Sequence, residues 1–304
     1  MASSFFARLP VRLPRTRGGR IALSLAFVYI VWGSTYLGVH VSLESFPPLL
    51  LSGLRNLLAG IGLFVFAMQR RPQRPTLLEI RNAGLVGTML VALSSGMLAV
   101  GMRTVGTGMA AVMVATVPLF ATVIAAVAGR SVSKGEWGAV ALGLVGIAVL
   151  NHGDTSAGSA GGSLAILAGA LFWAGGAHLA GRLKMPSDLF LSTSLQVGLG
   201  GAVSTVIAWA LGERMMDLSF APALAFLYLV LIGTMGAYVA YGYLIRHTSP
   251  IIASSCMYVN PVVAVALGAV TLGEPVTRWT VIATLVILAS VGLSFWFDRQ
   301  RTTG

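Results

Sequence analysis

The chain has 304 residues, of which 56% are hydrophobic and 10% charged, and a formal net charge of +11; its mean hydropathy is +0.86. Soluble domains carry about 25% charged residues, so this composition excludes an ordinary soluble enzyme and leaves no room for a separate catalytic domain. The basic residues lie along short loops instead of interleaving with aromatics on one surface, which argues against a nucleic-acid partner and makes them a report on topology.

Residues 1–20 form a basic, proline-containing segment. The apolar run after it has no clear small-residue cleavage site, so it reads as an uncleaved signal anchor. A helix needs about 20 apolar residues to cross roughly 30 Å of hydrocarbon. Spans are expected at 21–42, 47–69, 79–102, 105–127, 135–151, 163–182, 188–211, 219–245, 250–272 and 276–297. Residues 21–151 hold the first five, a small polar linker covers 152–162, residues 163–297 hold the other five, and 298–304 form a tail. A repeated unit with an odd number of spans must cross the bilayer in opposite directions. The expected fold is an all-α polytopic membrane protein, with ten transmembrane helices in two inverted five-helix repeats.

Alternate loops divide the cations unequally. One side holds the amino-terminal arginines, Arg70, Arg71, Arg74, Arg81, Arg130, Lys134, Arg182, Lys184, Arg246, Arg299 and Arg301; the other holds Arg103, Arg214 and Arg278. The positive-inside rule makes the rich side cytoplasmic, with both termini there and the chain in the cell inner membrane. The lone Cys256 lies inside a span and forms no intramolecular disulfide.

The halves also align residue by residue. An offset of 141 pairs Trp32 with Trp173 and Arg55 with Gln196, and one of 143 pairs Pro118 with Pro261. Three runs then carry a resemblance: WGSTYLGVHVSLESFPPLLLSGLRNLLAG from Trp32, VPLFATVIAAVAG at the end of span four, and NPVVAVALGAVTLGEPVT in span nine and its exit. They resemble EamA-type members of the drug/metabolite transporter superfamily, and within it the YddG-type amino-acid exporters. The resemblance implies ten helices in two inverted repeats around a central cavity lined by helices 1, 3, 4, 6, 8 and 9. One departure is that the second half has LGE ending at Glu274, whereas the first has Arg130 after Gly129.

All nine acidic residues fall in loops or at span ends. Proton-coupled export of cations generally uses a membrane carboxylate, and none is available here. There is no HExxH, no buried aspartate pair and no serine nucleophile loop, so the chain reads as no enzyme, with no metal site and no cofactor.

The candidate substrate residues are Trp32, Ser34, Tyr36, Met113, Thr116, Trp173, Tyr238, Tyr241, Tyr258 and Asn260. Mid-span indoles at Trp32 and Trp173 either pack ordinarily or wall an apolar or aromatic cargo site. Met109, Met113, Thr116 and Phe120 form a helical stripe, a pattern usual in cores and also in adaptable binding surfaces. Pro118 and Pro261 each leave a carbonyl four residues earlier without its donor, at Val114 and Met257, which makes them helix-break or gating candidates. His40 and His178 are the proton-relay candidates, set against the plain reading of a satisfied lone histidine near a helix end. Arg55 stands well inside span two and reads either as a carboxylate partner or, the reading favoured by helix 2 lying outside the implied cavity, as a snorkelling or carbonyl-capping residue. The glycines of helices 5 and 6, Gly138, Gly143, Gly146, Gly175 and Gly176, read as packing positions.

The expected function is an exporter of small neutral or zwitterionic metabolites, best matched by hydrophobic or aromatic amino acids, working as a facilitator by alternating access. Broad efflux of drugs or nucleoside-like metabolites is the alternative within transport; a membrane enzyme or a non-transporting receptor is the alternative outside it. The partners expected are an amino-acid-like small molecule and the lipid bilayer. The oligomeric state is left open.

Overall fold

The computed structural model describes residues 16–152, 158–248, 252 and 255–303. Among these the long helices, numbered here in chain order, are α1 (Arg17–Ser42), α2 (Pro48–Met68), α3 (Leu77–Gly101), α4 (Thr107–Val127), α5 (Lys134–His152), α6 (Ala160–Ala180), α7 (Leu189–Ala210), α8 (Phe220–His247), α9 (Cys256–Leu272) and α10 (Arg278–Thr303). Eight of them are long and apolar enough to cross a membrane. The others are α5, which opens on Lys134 and Glu136, and α9, which at 17 residues is shorter than the expected span 250–272. Residues 1–15 of the amino-terminal segment and 153–157 of the linker lie outside the described residues.

Local chemistry sets the helix starts. Thr16 and Ser159 accept from backbone amides three residues on, and Asp188 accepts from Leu191 N. Thr76 and Glu79 form a reciprocal capping box, as do Ser133 and Glu136. Two further starts are capped from elsewhere in the chain. Glu213, after α7, accepts from Leu50 N at 2.8 Å at the start of α2. Glu274, after α9, accepts from Thr107 N at 2.6 Å and Gly108 N at 3.1 Å at the start of α4. An acidic group near a helix N-terminus is favoured by the unpaired amides and the helix dipole. Arg130, the first-half counterpart of Glu274, instead pairs with Glu136 in the next helix at 2.5 Å.

The largest hydrophobic cluster sits at one end of the helices. It joins Tyr36 and Val39 near the end of α1, Leu51 at the start of α2, Met102 after α3, Met109–Met113 at the start of α4, Leu150 at the end of α5, and Ile166, Leu229 and Ala283 in the first halves of α6, α8 and α10. Alternating chain direction follows directly from that membership. At the opposite end the core breaks into separate clusters: α1 with α8 and α9 around Val28, Leu244 and Cys256, and α2 with α7 around Ala67, Phe190 and Leu191. A third joins α4, α5 and α10 around Leu119, Val140 and Val291.

The principal helix pairs between the first five helices and the last five are α2 with α7, α5 with α10, α4 with α9, α1 with α9 beside α6 with α4, α3 with α7 beside α8 with α2, and α3 with α6 beside α8 with α1. Exchanging the first five helices for the last five maps this set onto itself. Helices α2 and α7 meet backbone to backbone: a Cβ on Gly60 lies 2.3 Å from Gly198 Cα, and one on Gly53 2.6 Å from Thr205 N. The glycines singled out in α5 and α6 also pack against neighbours, except Gly138, beside which a Cβ meets nothing within 4 Å.

Both α3 and α8 pass through a π-helical stretch, at Thr88–Ser95 and Leu229–Gly236. These stretches are separated by the same offset of 141 that relates Trp32 to Trp173. π-Helical turns are rare and concentrate at functional sites.

Candidate substrate site

Helix α1 lays Trp32 against two tyrosines of α8. The Tyr238 ring stands edge-on to the indole with centroids 6.1 Å apart, and the Tyr241 ring lies tilted at 5.0 Å. Tyr238 and Tyr241 follow the π-helical stretch directly, three residues apart on one face. Two residues along α1, Ser34 and Tyr228 share a hydroxyl–hydroxyl bond of 2.6 Å, and Ser34 Oγ also donates to the Val31 carbonyl. All three aromatic residues of the trio are only partly buried, and Trp32 and Tyr241 pack against the buried cluster of Val28, Leu244 and Cys256.

Other sequence candidates go elsewhere. Tyr36 is buried in the large cluster at the sealed end. Met113 is fully buried there, and Thr116 is buried with its hydroxyl donating to the Met113 carbonyl at 2.6 Å. Trp173 packs, as does Phe120, against the buried cluster of Val117, Ala170 and Ala174 between α4 and α6, apart from the Trp32 group. Tyr258 turns toward α10, 6.0 Å from Phe295. Asn260 lies beside α1, its backbone carbonyl 3.2 Å from a Cβ built on Gly33, and its buried side-chain oxygen has no hydrogen-bond partner among the described residues. His40 is in the last turn of α1 at the sealed end, and His178 in the last turn of α6 at the opposite end.

The two prolines behave differently. Helix α4 is interrupted after Val114 and resumes at Val117, with Thr116 N bonded to the Met113 carbonyl in a tightened turn. Pro118 removes the donor that the Val114 carbonyl needs, which accounts for the break. Pro261 lies inside α9, which continues through it without interruption to Leu272.

Arg55 corrects the favoured sequence reading. Its side chain neither snorkels outward nor caps a backbone carbonyl: Nε donates to the Thr234 hydroxyl of α8 at 2.9 Å. Thr234 in turn donates to the Leu229 carbonyl five residues back, at 2.8 Å within the π-helical stretch. Helix number alone says nothing of which way a side chain points.

Comparison with known proteins places this arrangement in context. A model of the EamA-like transporter family matches residues 20–152 and again residues 160–296. The uncharacterized inner membrane transporter YedA of Escherichia coli K12 is 39% identical over 89% of each chain. The uncharacterized transporter YoaV of Bacillus subtilis is 25% identical over 93% of this chain and 99% of its own. A probable amino-acid metabolite efflux pump of Salmonella typhimurium is 24% identical over 91% and 95%. A crystal structure of a protein 16% identical superposes with a TM-score of 0.61, covering 92% of this chain and 98% of that one, a likeness of fold alone.

Proposed function

Because the chain belongs to the EamA-like transporter family, and so is a multi-pass inner-membrane transporter, we propose that it moves small zwitterionic metabolites, hydrophobic or aromatic amino acids in particular, outward by alternating access. The observation that carries the choice of cargo is the partly open wall of Trp32, Tyr238 and Tyr241 between α1 and α8. Aromatic rings give large apolar contact with specific edge and face geometry, while a tyrosine hydroxyl serves the polar end. Ser34 and the unpartnered oxygen of Asn260 are further polar contacts; Tyr36, Met113, Thr116, Trp173 and Tyr258 become cargo contacts once α4 and α9 move. The name borne by the Salmonella relative supports an amino-acid cargo.

The reading of ten spans in two inverted five-helix repeats rests on three supports. The family model matches twice in tandem, the helix pairs map onto themselves under exchange of the halves, and the π-helical stretches repeat at the offset of the tryptophans. In inverted repeats the cargo site lies at mid-depth and one half rocks against the other. The sealed end is the one that the loop arginines assign to the periplasm, with both termini on the cytoplasmic side. This conformation therefore faces inward, with α4 broken at Pro118 and α9 continuous through Pro261, the two helices in different states.

Transport is read as facilitated and not proton-driven, since the spans hold no carboxylate and His40 and His178 sit at opposite ends of the fold. The test is flux of a labelled amino-acid panel into proteoliposomes, with and without a pH gradient. Phenylalanine and leucine are expected to cross at rates changed less than about twofold by a one-unit gradient, a proton-motive term otherwise worth about tenfold in accumulation. Strong gradient dependence would return His40 and His178 to the mechanism; no flux of any amino acid would sink the cargo assignment.

A further inference from the structure

The cation set deepest in the spans has no anion of its own. Among the described residues Arg55 makes one hydrogen bond, from Nε to Thr234 Oγ1 at 2.9 Å, and no carboxylate pairs with it. A guanidinium carries five N–H donors in a rigid fork, so the four on the two Nη atoms are left over. Arg55 also lines a small cavity between α1, α2 and α3 with Val39, Ser52, Ser95 and Leu98, whose volume of ≈ 20 Å³ holds about one water. Tyr228 and Tyr238 are within electrostatic reach of the same guanidinium.

A charge at this depth without a counter-charge is expensive, and such residues mark substrate paths. No carboxylate of the described residues is bonded to it: the acids of the described helices lie in first turns, beyond the exits or, for Asp298, in the last turns of α10, and Glu79, Glu136, Glu213 and Glu274 are spent on capping. Thr234 also constrains the fork. Its hydrogen is committed to the Leu229 carbonyl, which leaves its oxygen only as an acceptor and fixes the plane of the guanidinium through Nε. The Nη edge is thus held free and aimed, the geometry for a bidentate, charge-assisted contact with a planar anion.

We propose that Arg55 is a carboxylate-binding residue, aimed by Thr234 from the π-helical stretch of α8, and that the protein accepts only cargo bearing a carboxylate. This rests on the reading that α1 and α8 hold the cargo. Tyr238 connects the two: it follows Thr234, the partner of Arg55, by four residues on α8, and its ring centroid is 6.1 Å from that of Trp32. A carboxylate on Arg55 therefore sets the side chain of an α-amino acid against Trp32 and Tyr241.

The test is equilibrium binding of labelled phenylalanine to the purified full-length protein in detergent, competed by phenylalaninamide, which lacks the carboxylate, by phenylpropionate, which lacks the ammonium, and by inorganic phosphate or chloride. Phenylpropionate is expected to compete, and phenylalaninamide to fail. Arg55→Gln should weaken phenylalanine roughly 10- to 100-fold, the range of a lost charge-assisted contact, and Arg55→Lys should recover part of it. Thr234→Val keeps the charge but not its aim, and should cost about 3- to 10-fold. A monodisperse elution profile checks each variant; if Arg55→Gln does not fold, the wild-type preference for acid over amide and the Thr234→Val loss still decide.

Equal binding of phenylalanine and its amide overturns the proposal while leaving an amino-acid site in place. So does an Arg55→Gln variant that lowers both ligands in proportion, since Arg55 then only ties α2 to α8. Binding of phenylpropionate but not phenylalanine, lost in Arg55→Gln, keeps the carboxylate site and removes the amino-acid reading. Competition by phosphate or chloride alone makes Arg55 a site for inorganic anions and overturns the proposal.

Discussion

Gly201→Val is expected to abolish the folded protein. Gly201 of α7 faces α2, where a Cβ lies 2.4 Å from Leu57 N and 2.9 Å from both Asn56 C and Gly53 O. All three are backbone atoms, so no rotamer change relieves the contact. Overpacking in a core that can adjust its side chains already costs about 1–3 kcal/mol. Here the helices themselves must separate, which also opens the neighbouring contacts of Gly53 with Thr205 and Gly60 with Gly198. Because lipid chains are as apolar as the side chains, close packing is what holds helices together in a bilayer, and the α2–α7 seam lies between the halves. Gly138→Ala is the matched control, since nothing lies within 4 Å of its Cβ. Monodisperse yield on size exclusion in detergent should collapse for the first and stay at the wild-type level for the second.

Trp32→Ala is expected to lower phenylalanine flux by roughly tenfold or more while leaving the fold intact. The indole contributes two ring contacts, to Tyr238 and Tyr241, and aromatic pairs of this geometry are worth about 0.5–1.5 kcal/mol beyond the area they bury. A cargo ring that loses such a contact together with its buried area loses about tenfold in affinity for each 1.4 kcal/mol. Trp173→Ala should behave differently. That indole packs against the buried cluster of Val117, Ala170 and Ala174 beside the break in α4, so its loss should appear first as a lower thermal-aggregation temperature. If both variants lost stability and flux in parallel, the division between a tryptophan that faces cargo in this conformation and one that packs in it would be wrong.

Much of this architecture was legible in the chain. Long apolar runs with short loops mark the helices, and the opposed arginine counts give the alternation that the sealed core independently requires. Trp32, Tyr238 and Tyr241 each stood out in the sequence because aromatics at mid-span are few, and the structure brings their rings together. The π-helical stretches were missed, since they contain no proline or other local signal; the offset of 141 merely makes them a pair once seen. The Thr234 partner of Arg55 was not legible, because the period of a helix fixes relative faces but not which face meets α8. The α2–α7 seam did carry a signal: Ser194, Gly198, Gly201 and Thr205 form a small-residue stripe at helical spacing, more telling than the glycines of α5 and α6. Trp173 and Tyr258 share the chemistry of the site but not its place in this conformation. Proline identity alone also did not foretell that α4 breaks and α9 runs through.

The central claim is that cargo sits between α1 and α8 against the aromatic wall. The chain's only cysteine, Cys256, is buried against Val28 and Leu244, so a Cys256→Ala background allows Tyr241→Cys to serve as the single thiol. The measurement is the rate at which a small, membrane-impermeant thiol reagent modifies that position in proteoliposomes, with increasing phenylalanine. The account predicts protection that saturates over the concentration range in which phenylalanine flux saturates, and none from phenylalaninamide. A labelling rate unchanged by phenylalanine, in protein that still transports it, would place the cargo elsewhere and contradict the account.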